Sequence, residues 1–252
     1  TYAKEFRHNK YRPKLKNSLF HFVKFLTFIL FYILMQLLLV KSDMSKIAYF
    51  TMASILSFFH GLTYLGIWLI GHDCGHNSFS NNQKLNQVVG SISTCFMLMN
   101  YENWRRSHNM HHKFTGNIER DEAFGPKPKR KDFLLQRMIR SVVLIPFLAY
   151  LFGILFPSLT KSPGYVNYFW PDGTKNSIKA FVFVVAHIAF LVLATMLLPI
   201  SFFLFAGIFP ILISWAFFLI TTFLNHTGEH TEWLPNEIWS YEEGTFNTIN
   251  LS

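Results

Sequence analysis

The sequence predicts an all-α membrane protein: four transmembrane helices in two hairpins, with a cytoplasmic helical cap and interfacial helices. Three observations lead there. First, 51% of the 252 residues are hydrophobic, 29 are Phe, and only 15% are charged. A water-soluble domain of this size rarely combines so much aromatic surface with so little charge, whereas a bilayer solvates such surface directly. Second, four apolar runs are each long enough to cross a hydrocarbon core. Third, the runs come in two pairs joined by short links, and basic residues crowd the flanks.

Residues 1–21 are a basic segment, with Lys4, Arg7, Lys10, Arg12, Lys14 and Lys16 against Glu5. A solvated cytoplasmic flank accounts for it. Nucleic-acid binding would need a folded basic surface, and this segment runs straight into a span. Residues 22–252 read as one domain. Phe22 to Val40 is the first span, a 19-residue run broken only by Lys24, Thr27 and Gln36. A six-residue link, Lys41 to Lys46, leads to the second span, Ile47 to Ile70, and implies an antiparallel return. Leu85 to Met99 is too short and too polar to cross, so it reads as re-entrant or interfacial.

Residues 113–140 carry Lys113, Arg120, Lys127, Lys129, Arg130, Lys131, Arg137 and Arg140. The positive-inside rule places this stretch and the N-terminus in the cytoplasm. Ser141 to Phe156, with Pro146 inside and Pro157 after it, reads as an interfacial helix. Residues 158–177 are loop, marked by Pro163-Gly164 and Pro171-Asp172-Gly173. The third and fourth spans are Lys179 to Leu198 and Ser201 to Phe223, with a tight turn at Pro199 and an expected kink at Pro210. The chain opens on Thr1 and closes on Asn250-Leu251-Ser252, which reads as the interior of a longer sequence. Two cysteines, Cys74 and Cys95, give no disulfide framework. Cys74 reads as a small residue filling space.

Two histidine clusters follow apolar segments: His72-Asp73-Cys74-Gly75-His76 and His108-Asn109-Met110-His111-His112. On a helix, His72 and His76 leave one face, and His108, His111 and His112 can also share one. This is metal-ligand spacing. A non-spanning 85–99 segment keeps both clusters on one side of the membrane, and the fourth span emerges at Asn225-His226 on that side. His60 and His187 lie inside spans and read as structural residues facing the bundle.

These residues carry a resemblance. His72-Asp-Cys-Gly-His-Asn-Ser-Phe-Ser80 resembles the first histidine box of omega-3 acyl desaturases. Trp104-Arg-Arg-Ser-His-Asn-Met-His-His112, with Thr115-Gly116, Glu119 to Phe124 and Pro126-Lys127, resembles the second box of delta-12 desaturases. Trp239-Ser-Tyr241, Gly244 and Thr248-Ile249 resemble the stretch preceding the third box. The chain is thereby identified as similar to the membrane-bound fatty acid desaturases, from about residue 45 onward.

In that family, eight box histidines and one more near the fourth span bind two irons. Carried over, the resemblance makes His72, His76, His108, His111, His112 and His226 the metal ligands and catalytic residues, with His230 a weaker match. A third box is expected beyond Thr248, so the 252 residues alone are expected to be inactive. The implied reaction uses O2 and two electrons to insert a cis double bond into an acyl-lipid or acyl thioester. The electrons would come from an external cytochrome b5 or ferredoxin. Imidazole suits iron, and zinc, which binds similar ligands, has no redox chemistry. Asp73, Asp121 and Glu122 are candidates to hydrogen-bond a ligand imidazole, or else to act as a helix-terminus residue and salt-bridge partners.

Two rival readings stand beside this one. Carotenoid hydroxylases or ketolases and alkane hydroxylases also use histidine boxes and a di-iron centre. The Glu119–Phe124 and Trp239–Tyr241 flanks favour a desaturase. A histidine-lined metal transporter would place its ligands near mid-bilayer, whereas these clusters lie at span ends.

Overall fold

The computed structural model describes residues 14–121, 173–226 and 232–246. Helices account for the regular structure among them, apart from one isolated parallel bridge between Asn117 and Leu234. Four helices are long and apolar enough to cross a membrane: α1 (Leu15–Val40), α2 (Lys46–Gly75), α5 (Lys175–Leu197) and the stretch Ile200–Thr222. That last stretch consists of α6 (Ile200–Phe202), a π-helical segment (Phe203–Ile208) and the start of α7 (Phe209–His226). Between the second and third spans lie α3 (Gln83–Cys95) and α4 (Tyr101–Phe114), and α8 (Tyr241–Phe246) follows α7. The interfacial helix expected at Ser141–Phe156 lies outside the described residues. So do most of the basic N-terminal segment, the whole of 122–172 with Glu122 in it, and His230.

The helix starts are written in the sequence. Ser45 Oγ accepts from Ala48 N, Asn82 Oδ1 from Lys84 N and Leu85 N, Asn100 Oδ1 from Glu102 N and Asn103 N, and Thr174 Oγ1 from Ser177 N. Each side chain satisfies amides that the first helical turn leaves without a carbonyl. At 13 residues, α3 is about 20 Å long, short of a hydrocarbon core of about 30 Å. It packs against α2 and α5 instead.

Half of the most apolar stretch of α2 is buried, against 11% for α1 and 17% for α5, so α2 is the central post. Tyr64, Ile67, Trp68, Met97, Met99, Tyr101, Trp104, Ile211 and Trp215 pack around it. Apolar residues such as Phe20, Leu30, Leu34, Val182, Leu193 and Leu197 stay exposed, as lipid-facing side chains require.

Near Pro210, where the sequence predicts a kink, the helix carries a π segment that ends at Ile208. In π register the amide of residue 210 would donate to the Phe205 carbonyl, but proline has no N–H. Ser57 Oγ donates to that carbonyl instead, with Gln36 Nε2 at 3.4 Å. Gln36 is fully buried and also donates to the Ala53 carbonyl at 3.0 Å. The polar interruption of the first apolar run thus serves a backbone defect two helices away.

α2 extends past its apolar run into the first histidine cluster and ends at Gly75, with His76 as the capping residue. α4 is tied to the start of α5: Asn100 Nδ2 donates to the Ser177 carbonyl at 2.9 Å, and Ser177 Oγ to Asn103 Oδ1 at 2.6 Å. The end of α2, the whole of α4 and the start of α5 therefore meet at one end of the bundle.

Candidate metal centre

The last turn of α2 presents His72 and His76, and α4 presents His108 and His112. Gly75 allows the two helices to meet, since a Cβ there would lie 2.9 Å from Cζ3 of Trp104. Trp104 lies one turn before His108 on α4 and stacks on its ring, with centroids 4.6 Å apart and planes 19° apart. Trp68 packs edge-on against Trp104. Both indoles are buried and form an apolar floor against the imidazoles of His72 and His108. Trp104 appeared in the sequence only as a flank of the second box. Its spacing to His108 was the signal that it packs there.

Nε2 of His108 lies 3.0 Å from Nε2 of each of His72, His76 and His112. The ligand atoms of all four residues fall within 4.8 Å of one another. A neutral Nε2 either donates one hydrogen bond or accepts one, so protons can serve one of these three contacts and no more. A shared cation serves all of them. Two nitrogens each about 2.1 Å from one ion and at right angles to each other lie about 3.0 Å apart, so the three contacts at His108 have the spacing of ligands to one transition-metal ion.

Electrostatics favour the neutral, ligating form. Burial, reinforced by the neighbouring imidazoles of His72, His112, His76 and His111, pushes His108 down to about 2. Burial, then His76, His111 and His72, lowers His112 to about 4. Burial and then His72 lower His76 as well. His76 and His112 are exposed while His72 and His108 are half-buried, so the cluster opens on one side.

His111 turns away from this group. It is 4% exposed, and its Nδ1 lies 2.9 Å from both carboxylate oxygens of the buried Asp121. Its ring centroid is 6.2 Å from that of His108. With Nδ1 on Asp121, Nε2 is the nitrogen that would ligate. Asp73 does not play the same part for His72, because 3.8 Å from Nδ1 is beyond a hydrogen bond. His226 is the last residue of α7, and its side chain lies outside the described set.

His60 and His187 do not join the cluster. His60 is sandwiched between Tyr32 and Tyr64, and His187 packs against Phe96. Cys74 is buried with a free thiol beside the site, filling space as expected.

Comparison with known proteins points the same way. A family model described as fatty acid desaturase matches residues 47–247. An acyl-lipid omega-3 desaturase (cytochrome b5) of the endoplasmic reticulum from Arabidopsis thaliana is 32% identical over 200 residues, 75% of this chain and 52% of the relative. A chloroplastic omega-3 fatty acid desaturase from Glycine max is 33% identical, covering 75% of this chain and 44% of the relative. An sn-1 acyl-lipid omega-3 desaturase (ferredoxin) from Synechocystis is 30% identical, covering 75% and 54%. The chain spans about half the length of these relatives. With the family model matching from the second span through the strand-like contact at Leu234, this chain belongs to the fatty acid desaturase family.

Proposed function

We propose that this protein is an acyl-lipid desaturase that inserts a cis double bond into a membrane-delivered acyl chain at a histidine-held di-iron centre. The observation that carries the proposal is the convergence of four Nε2 atoms around His108, on a chain of the desaturase family. The relatives' names favour the omega-3 position and an external cytochrome b5 or ferredoxin as electron donor. The topology we propose has two hairpins, with the histidines and the helical cap on the cytoplasmic side and residues 22–252 as one domain.

In this reading His72, His76, His108 and His112 hold metal through Nε2, with His111 and His226 serving the second ion. Bound iron supplies the dioxygen activation that an unactivated methylene requires. The net reaction converts CH2–CH2, O2, two electrons and two protons to CH=CH and two waters. Trp104 and Trp68 exclude water from the inner side of the cluster and fix the His108 ring. Asp121 holds a proton on Nδ1 of His111, leaving Nε2 as the donor atom. The exposed side, at His76 and His112, is where electrons and protons arrive.

The test is expression of the natural full-length protein in a host of known fatty-acid composition, followed by chromatography of the lipids. A new cis-unsaturated acyl chain supports the proposal. A hydroxylated product would assign the protein to the related oxygenases, and metal uptake without lipid change would assign it to transport.

A further inference from the structure

The stretch from Trp239 to Gly244 stood out in the sequence, and the proposed mechanism gives it no role. In the structure it grips the turn that follows α4. Leu234 N–H donates to the Gly116 carbonyl at 2.9 Å, and Ile118 N–H to the Leu234 carbonyl at 3.0 Å. Asn236 N–H donates to Glu119 Oε2 at 3.0 Å, and Asn117 Nδ2 to Asn236 Oδ1 at 3.3 Å. Trp239 Nε1–H donates to the Thr115 carbonyl at 3.0 Å, and its ring packs on Phe114. Gly244 then closes over the same carbonyl. A Cβ at Gly244 would lie 2.1 Å from the Thr115 oxygen and 2.7 Å from Trp239 Nε1, so only glycine fits.

The gripped turn leads to His111 by two routes. Thr115 Oγ1 donates to the His111 carbonyl at 2.6 Å. Gly116, at φ +75°, turns the chain so that its N–H donates to Asp121 Oδ2 at 3.3 Å, and Asp121 N–H returns to the Asn117 carbonyl. That return presents the Asp121 carboxylate to His111 Nδ1.

We propose that residues 232–246 form a clasp in which Trp239 and Gly244 are positioning residues for the His111–Asp121 pair. The clasp joins the chain leaving the last span to the second histidine helix, across 124 residues of sequence at its Trp239–Thr115 contact. This inference rests on the reading of His111 as a metal ligand. It assigns a function to residues that touch neither metal nor substrate. Trp239 fixes the Thr115 carbonyl, and that fixes where Asp121 meets the imidazole.

The test is Co2+ titration, followed by visible absorption, of the purified natural full-length protein and its Asp121→Asn, Trp239→Phe, Gly244→Ala and His111→Ala variants. Asp121→Asn should weaken Co2+ binding about 10- to 100-fold. Trp239→Phe, which keeps the ring and drops one hydrogen bond, should weaken it roughly 2- to 10-fold. The Asp121→Asn/Trp239→Phe double variant should bind no more weakly than Asp121→Asn alone, because both changes act through His111. A merely structural clasp would give multiplied losses, and that result overturns the inference, as does unchanged binding in Trp239→Phe. Gly244→Ala should match or exceed Trp239→Phe, and if it fails to accumulate, Trp239→Phe decides. Unchanged Co2+ binding in His111→Ala would overturn the ligand reading itself, and the clasp's role with it. Loss in His111→Ala with multiplied losses in the double variant would overturn the clasp alone.

Discussion

His111 and Asp121 form a buried pair in which one imidazole nitrogen sits 2.9 Å from both oxygens of one carboxylate. The residues are 4% and 2% exposed. An imidazole so held has its ring plane and its tautomer fixed together, which is how ligand histidines are oriented. Asp121→Ala leaves a buried donor with its carboxylate partner gone, so the protein should lose about 1–3 kcal/mol of stability. Denaturant titration of the metal-free protein in detergent measures this.

Substitution should separate the histidines sharply. His108 holds the central nitrogen, so His108→Ala should abolish metal binding at the four-histidine site and desaturation with it. His60→Ala and His187→Ala should leave metal content unchanged, since neither ring reaches the cluster. Metal analysis of the purified variants decides, and a His60→Ala protein without metal would contradict the assignment.

Acid should affect the metal-free and metal-loaded forms differently. His108 and His112 are held below the ordinary imidazole value of 6.5, at about 2 and about 4. As pH falls through 6.5, the unfolded chain takes up protons that these folded residues refuse. Their contribution to stability is complete above 6.5 and drains as pH falls toward those lower values. The melting temperature of the metal-free protein should therefore drop between pH 7 and pH 5. Metal-loaded protein should keep its ion over the same range, because few protons compete for Nε2. Melting curves with and without metal across that range provide the check.

The π segment makes a prediction away from the site. Ser57→Ala removes the hydroxyl that serves the Phe205 carbonyl. Inside a bundle that carbonyl has no water to turn to, so the cost should be about 1–2 kcal/mol. Ser57→Thr, which keeps the hydroxyl, should recover part of it. Unfolding in mixed detergent micelles reads the difference.

The spans were legible because apolar length is a local property: α1, α2, α5 and the Ile200–Thr222 stretch each overlap an apolar run in the sequence. Pairing of the first and second histidine clusters was legible from spacing. The separate direction of His111 was available in principle, since successive helical residues diverge by about 100°. His111 and His112 flank the direction of His108 on opposite sides, so their rings diverge within the shared face. The register of the π segment was not legible, because Gln36 and Ser57 reach it from other helices. Nor was the clasp, whose Trp239–Thr115 contact spans 124 residues and depends on the packing of α4.

The most direct test of the account is the metal content of the purified protein beside that of its His108→Ala variant. Elemental analysis by mass spectrometry, on matched amounts of membrane-extracted protein, should find iron in the former and a clear loss of it in the latter, that of the ion at the four-histidine site. Equal metal in both would show that the converging Nε2 atoms of His72, His76, His108 and His112 do not hold the ion, and would contradict the account at its centre.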